Sequence, residues 1–501
     1  MQQNQEVEHD EDAAHLVSLG YTYDTTFKRD MTFWGNVSLG FTYLSPIAGV
    51  YSMFALSLSA AGPPMAWAMV IALVGQFFVA LIFGEVVSNY PVAGGVYPWS
   101  RRLWGRKWAW MNGWIYVVAL VGTIASVAYG AAPFVGSLFG FSVDAGGTVL
   151  IALGTLVVAT FLNFSGTKVL GLAALIGLVA EMIGAVVIGG YLLLVGRQHD
   201  WSIFFDNQGI GDGAPGGYLG AFAAAALIGM FAYYGFEANG DVAEEIKNPS
   251  QQVPKAMRIT LYIGGFAANL LTFSLVIAVT DFQAVASGET TDPIGELLQA
   301  NFGPVFPLVM LVVVVAFISC ITSLQAAASR LIYSMSRDRF LPASQVLSKF
   351  NEKRHVPSNA LIVSAVVPAL IVMLSLFLAN ALTALVGFGT VGIYMAFGMV
   401  VLAALRARIL GWKPAGKFTL GAWAYPVNII ALLWGVVAVI NILWPRPTGA
   451  GPVQDNLLII TTALVIAVGW TYMLASKAYT RGDAPAGDAS GAIEVPVRSG
   501  R

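Results

Sequence analysis

Apolar stretches long enough to cross a bilayer recur along this chain, separated by short polar segments. About 20 mostly apolar residues, rising 1.5 Å each, cover a hydrocarbon core of about 30 Å. Twelve such stretches can be read, over 34–58, 65–88, 108–136, 148–163, 170–195, 218–238, 259–280, 304–334, 359–378, 383–405, 424–444 and 456–475. Two of them are interrupted. The first contains Gly40-Phe-Thr-Tyr-Leu-Ser45-Pro46-Ile47-Ala48-Gly49, in which Pro46 lacks an N–H and Gly49 adds backbone freedom. The sixth runs from the apolar stretch Ala221 to Met230 into Phe231-Ala232-Tyr233-Tyr234-Gly235-Phe236-Glu237-Ala238-Asn239-Gly240-Asp241, setting a carboxylate between two glycines near membrane depth. A continuous helix has no use for such a pattern, and charge in hydrocarbon marks functional or protein-lined positions.

The two interruptions fall in the first and sixth spans. That is the spacing expected if spans 1–5 and 6–10 are inverted repeats, each opening with a broken helix. Half-helix ends would then meet near mid-membrane, where freed N–H groups suit a carboxylate and freed C=O groups suit an ammonium or Na⁺.

Composition agrees with a polytopic helical membrane protein. Of 501 residues, 57% are hydrophobic and 11% charged, against about 25% charged in soluble domains. Lys and Arg set the expected orientation. With the N-terminus inside, 24 of the 26 fall on inner segments, leaving Arg197 and Arg446 outside, so both termini are expected in the cytoplasm. The acidic start lacks a basic region followed by an apolar one, so the first span is expected to direct insertion itself. The tails, 1–30 and 478–501, read as disordered. The four histidines lie in tails or loops and Cys320 in an apolar run, a pattern that offers metal or haem no cluster of ligands. There is no GxxxxGK[ST] phosphate loop, so a primary pump is excluded, and no loop is long enough for a soluble catalytic domain. Nothing points to nucleic acid, and the spans show no repeated pore-lining rings of the kind a channel uses.

Four stretches carry a resemblance. They are Leu44-Ser-Pro-Ile-Ala-Gly-Val-Tyr51; Tyr90-Pro-Val-Ala-Gly-Gly-Val-Tyr-Pro-Trp99; Gly235-Phe-Glu-Ala-Asn-Gly-Asp-Val-Ala-Glu-Glu-Ile-Lys-Asn-Pro249 with Val253-Pro-Lys-Ala256; and Ser329-Arg-Leu-Ile-Tyr-Ser-Met-Ser-Arg-Asp338 with Leu341-Pro342. In this order the chain resembles the amino acid–polyamine–organocation superfamily, and within it the amino acid/choline/GABA permease branch. The resemblance implies an all-α, LeuT-type 5+5 inverted-repeat fold with twelve transmembrane helices. The transport core would occupy 31–410, with repeats over about 34–196 and 217–405, and two further helices over 411–477.

The resemblance also implies roles. The backbone at Ser45, Pro46, Ile47, Ala48 and Gly49 would take the substrate carboxylate or its equivalent. Phe231 would close over the site, with Ala232, Tyr234 and Gly235 lining it and Glu237 stapling the unwound segment. Independently of the resemblance, Arg330, Tyr333 and Arg337 stand at i, i+3 and i+7 on one face of the inner end of span 8, a spacing that suits either an inner gate with Glu244 and Glu245 or plain positive-inside anchoring beside a structural loop. Tyr116 and Ser319 suit either the site or the core. Glu181, isolated in span 5, aligns where some proton-linked relatives carry a lysine in place of Na⁺. A carboxylate cannot replace a cation as an ammonium does, so Glu181 is a candidate proton carrier, a partner for a cationic substrate, or a structural hydrogen-bond partner of a neighbouring helix. Glu85 reads as an interface residue. The function implied is a secondary transporter of the cell membrane, not an enzyme. Its substrate would be an amino acid or related amine, with a proton, or Na⁺, as coupling ion and no cofactor. An exchanger without net coupling, a choline, GABA or polyamine carrier, and a sensor of the same fold are the alternatives.

Overall fold

The computed structural model describes residues 29–290, 292–377, 381–446, 451–482 and 484–490. Among them, eleven helices are long and apolar enough to cross a bilayer, and apart from two isolated bridges the ordered elements are helical. The apolar segment expected as the sixth span, 218–238, instead forms a shorter helix over Gly217–Ala232 followed by irregular chain.

The first span is two helices, α1 (Phe33–Leu44) and α2 (Pro46–Ala61), meeting at Ser45 in a left-handed conformation (φ 44°). Pro46 is the first residue of α2, where its missing N–H costs nothing, because the first four N–H groups of a helix have no intrahelical partner. The next elements are α3 (Ala66–Asn89), the short α4 (Val96–Trp104), α5 (Arg106–Gly130), α6 (Ala145–Phe164) and α7 (Thr167–Met182). A π-helical stretch, Ile183–Ile188, follows α7 directly. Such widened turns concentrate at functional sites, and this one begins two residues after Glu181.

The sixth segment consists of α8 (Gly217–Ala225), α9 (Leu227–Ala232) and, after a gap, the single turn α10 (Ala238–Asp241). Gly235 makes the gap possible. Its φ is +120°, and a Cβ there would lie 2.6 Å from the backbone N of Leu44. In α11 (Pro249–Ala278) the helix starts about ten residues before the expected 259, with Pro254 inside it. The carbonyl of Ser250, which Pro254 cannot serve, accepts instead from the Ser88 hydroxyl at 2.7 Å. The chain closes with α12 (Phe306–Arg337), α13 (Ser358–Leu374), α14 (Ala381–Ile409), α15 (Ala424–Leu443) and α16 (Leu457–Ser476).

Burial separates two classes of helix. α1–α2, α5, α11 and α12 are largely enclosed, whereas α6, α15 and α16 present most of their surface outward. Small residues let the enclosed backbones approach, as at Gly49, where a Cβ would lie 3.1 Å from Ala232 Cα.

The C-terminal segment departs from the expected tail. Residues 478–482 and 484–490 lie against the Arg-rich end of the molecule. Gly487 N–H donates to the Arg101 carbonyl at 2.9 Å, and Asp488 pairs with Arg102 at 2.7 Å. Burial pushes the Asp488 carboxyl up, against the pull of Arg102 and Arg101. Sequence composition shows a Gly/Ala/Asp-rich stretch but not the two arginines that hold it. The remaining tail expectations fall on 1–28 and 491–501, outside the described residues.

Candidate functional site

The two interruptions come together. The turn at Ser45 and the gap at Gly235 touch backbone to backbone, through Gly49 against Ala232 and Gly235 against Leu44. All the positions named for binding, Ser45 to Gly49 on one side and Phe231, Ala232, Tyr234 and Gly235 on the other, are buried. Phe231 packs edge-on to Tyr234 at 5.7 Å between centroids, and Tyr234 edge-on to Tyr43 at 6.4 Å. This makes an aromatic wall on the α9 side of the junction.

Glu181 reaches this junction from α7. Its Oε2 accepts from the Ile47 N–H at 2.9 Å, and its Oε1 accepts from the Ser45 hydroxyl. The Ser45 Oγ in turn accepts from the Ala48 N–H at 3.2 Å. A carboxylate therefore sits on the first turn of α2, where the unpaired N–H groups and the helix dipole favour negative charge. Charge-assisted bonds of this kind contribute about 1.5–3 kcal/mol each. They offset the several kcal/mol that burying the side chain costs. The positions expected to take a substrate carboxylate are thus held, in this conformation, by a carboxylate of the protein itself.

Glu237 holds the other break. Its Oε2 accepts from the Gly235 N–H at 2.7 Å and its Oε1 from the Tyr116 hydroxyl at 2.9 Å. Tyr116 on α5 thus acts through Glu237. Ser319 packs on α7, where a Cβ on Gly177 would lie 2.3 Å from its Oγ, and its hydroxyl donates to the Ala173 carbonyl at 3.5 Å.

Towards the arginine-rich end, the loop after α10 meets α12. Arg330 Nε donates to Glu245 Oε1 at 2.9 Å within a fully buried pair. Arg337 pairs with Glu244 at 3.2 Å and lies over the Tyr333 ring at 5.8 Å. Glu244 also accepts from the Ala93 N–H at 3.1 Å, which ties in the Tyr90–Trp99 stretch. All five residues named for a gate therefore take part in two contacts along α12, Arg330 with Glu245 and Arg337 with Glu244 and Tyr333.

Sequence reading missed the partners of two carboxylates at this end. Asp338 pairs with Arg101 and accepts from the Tyr97 hydroxyl at 2.6 Å. Its place in the fourth motif was visible, but its partner, some 240 residues away, was not. Glu85 pairs with Arg408 and accepts from the Leu420 N–H at 2.7 Å, pinning α3 to α14 and the chain after it. Asp241 is fully buried beside Gly95. A cleft of about 590 Å³ lined by Pro64, Trp67, Phe204, Asn207 and Tyr218 lies elsewhere, among loop residues, and touches neither break.

The model of the amino acid permease family matches residues 33–469. Amino-acid permease BAT1 of Arabidopsis thaliana is 26% identical over 497 residues, covering 93% of this chain and 95% of the relative. Amino-acid permease 2 of Neurospora crassa is 25% identical over 494 residues, covering 93% and 88%. A putative amino acid/polyamine transporter of Macrophomina phaseolina is 24% identical over 447 residues, covering 85% and 97%.

Proposed function

The chain belongs to the amino acid permease family, which makes it a multi-pass membrane transporter of amino acids and not an enzyme, and from that premise we propose that it is a proton-coupled symporter working by alternating access. The observation that carries this reading is Glu181, a buried carboxylate bonded to the broken first span at Ser45 and Ile47. A group that gains and loses a proton there changes the charge at the half-helix end that meets the substrate.

In this reading the fold is the 5+5 inverted repeat, with α8–α10 as the broken sixth of twelve spans. Spans 1, 2, 6 and 7 rock against 3, 4, 5 and 8–10. The substrate lies between the breaks, with Phe231 and Tyr234 as its aromatic wall. Its carboxylate takes the α2 N–H groups when protonated Glu181 lets them go, so proton and substrate bind together. The arginine-rich end faces the cytoplasm of the cell membrane, as the distribution of Lys and Arg favours. The pairs Glu245–Arg330 and Glu244–Arg337 then close the inner side.

A second reading has a specific observation behind it. Because Glu181 already occupies the anion cradle, a substrate with amines but no free carboxylate could bind opposite it, as the name of the amino acid/polyamine relative invites. Uptake of radiolabelled amino acids and amines into proteoliposomes, with and without an imposed pH gradient, separates the two. Gradient-driven accumulation of an amino acid that Glu181→Gln abolishes, with exchange intact, is expected for symport. Loss of amine uptake at every pH in the same variant would replace it with the second reading. Gradient-independent exchange by the unaltered protein would make the chain an exchanger.

A further inference from the structure

Three buried charged side chains beneath the sixth-span break are incompletely satisfied. Asp241 is 0% exposed, and neither of its carboxylate oxygens accepts a hydrogen bond among the described residues. Its Oδ1 lies where a Cβ on Gly95 would come within 2.4 Å, so a glycine is needed beside it. Arg330 gives Nε to Glu245 and Nη1 to the Ser329 hydroxyl at 3.2 Å, but Nη2 is buried without a bond. Glu245 Oε2 is likewise buried and unbonded. A guanidinium and a carboxylate can form two parallel bonds. Here they form one.

The surroundings of Asp241 are specific. From its own segment, Glu237 stands four residues before it. α12 contributes Arg330, the cation whose field reaches it; α1 contributes Tyr43 and α5 Tyr116. Trp99 of α4 and Met257 of α11 pack on the neighbouring Gly240 and bring no charge. A bare carboxylate in such a place costs several kcal/mol, and a protonated or cation-paired one far less. Arg330, bonded once to Glu245, belongs to α12, which packs against the turn α10 that carries Asp241. A buried cation with two alternative partners is a two-state element of the kind that switches use.

We propose that Asp241 is a proton-binding site on the path from the substrate site to the arginine-rich end, and that it releases its proton when Arg330 leaves Glu245 to pair with it. In that step the O–H bond of Asp241 breaks, its electron pair stays on the carboxylate oxygen, and the proton passes to water in the opening mouth. Arg330 donates two N–H groups to the new carboxylate, and Glu245 moves into the water that enters. The inference rests on the symport reading above and adds a second carboxylate to it, downstream of Glu181.

The test uses the purified full chain in proteoliposomes, a radiolabelled mixture of the protein amino acids, and a pH dye inside the vesicles. A gradient of about one pH unit can accumulate substrate about tenfold at one proton per substrate, since a factor of ten is 1.4 kcal/mol. Asp241→Asn is expected to keep amino acid exchange but to lose both the accumulation and the substrate-evoked acidification. Asp241→Ser, a smaller polar side chain that carries no titratable proton near neutral pH, is expected to do the same, and it decides the matter if Asp241→Asn does not fold. Wild-type accumulation in either folded variant overturns the inference and leaves the symport reading standing. Exchange by the wild-type protein without any pH drive overturns both. Absence of amino acid exchange in the wild-type protein removes the transport reading itself.

Discussion

The two helix breaks are built on opposite plans. At Ser45 a residue with a side chain is held in the left-handed region (φ 44°), and its anchor, Glu181, comes from another helix 136 residues away. At Gly235 a glycine takes φ +120°, and the anchor is Glu237, two residues along the same segment. The first break is therefore tied to the charge on a distant carboxylate, and the second keeps its shape by local bonds. This difference suits a transporter in which one break senses a proton and the other mainly shapes the pocket.

Substitutions can break or sharpen that contrast. Gly235→Ala is expected to have the largest effect, since the positive φ costs about 1–3 kcal/mol and the Cβ would meet Leu44 backbone that cannot yield. Loss of folded protein by size-exclusion chromatography, or a transition temperature far below wild type, is the expected result. A stable, active Gly235→Ala protein would show that the second break is not fixed by the glycine. Next comes Glu181→Ala, which leaves the Ile47 N–H buried and unbonded at a cost of about 1–3 kcal/mol. Glu181→Gln keeps an acceptor for Ile47 and is expected to recover most of that stability in a thermal-shift assay while losing the pH drive. Equal destabilisation by Ala and Gln would mean that charge, not hydrogen bonding, holds the first break.

Smaller effects are expected farther out. Tyr116→Phe removes one of the two bonds to Glu237 and is expected to cost about 1–2 kcal/mol in stability without altering proton coupling. A change in the proton-to-substrate ratio would show that the second break senses charge as well. Arg337→Ala removes a partly exposed pair and is expected to change stability by about 0–1 kcal/mol. Its effect is expected in the rate of uptake, measured as a lower initial velocity.

The spans were legible because a bilayer demands apolar length, and the breaks because Pro46, Gly49, Gly235 and Gly240 are residues whose backbone chemistry speaks locally. The early start of α11 was not legible, because a proline normally ends a helix, and the Ser88 hydroxyl that relieves Pro254 is remote in sequence. The docked segment around Asp488 was hidden for the same reason, since its composition alone reads as unstructured and its partner Arg102 lies far off. The gate residues were named from their helical spacing and their place at the inner end, but their pairing, Glu245 with Arg330 and Glu244 with Arg337, is a matter of which side chains face each other across α12.

By itself, then, the sequence determined that this is a polytopic helical membrane protein with two interrupted spans and a few charges that do not belong in lipid. Those properties follow from hydropathy and from the backbone limits of single residues, which act over a few positions. Only the tertiary structure decided what each buried charge meets. It gave Glu181 the open N–H groups of α2, gave Glu237 a glycine N–H and a tyrosine, and left both oxygens of Asp241 buried without a bond among the described residues. The role of a buried carboxylate depends on the charges and donors within about 4–6 Å, and apart from Gly235 those donors come from far along the chain, 134 residues between Glu181 and Ile47 and 121 between Glu237 and Tyr116.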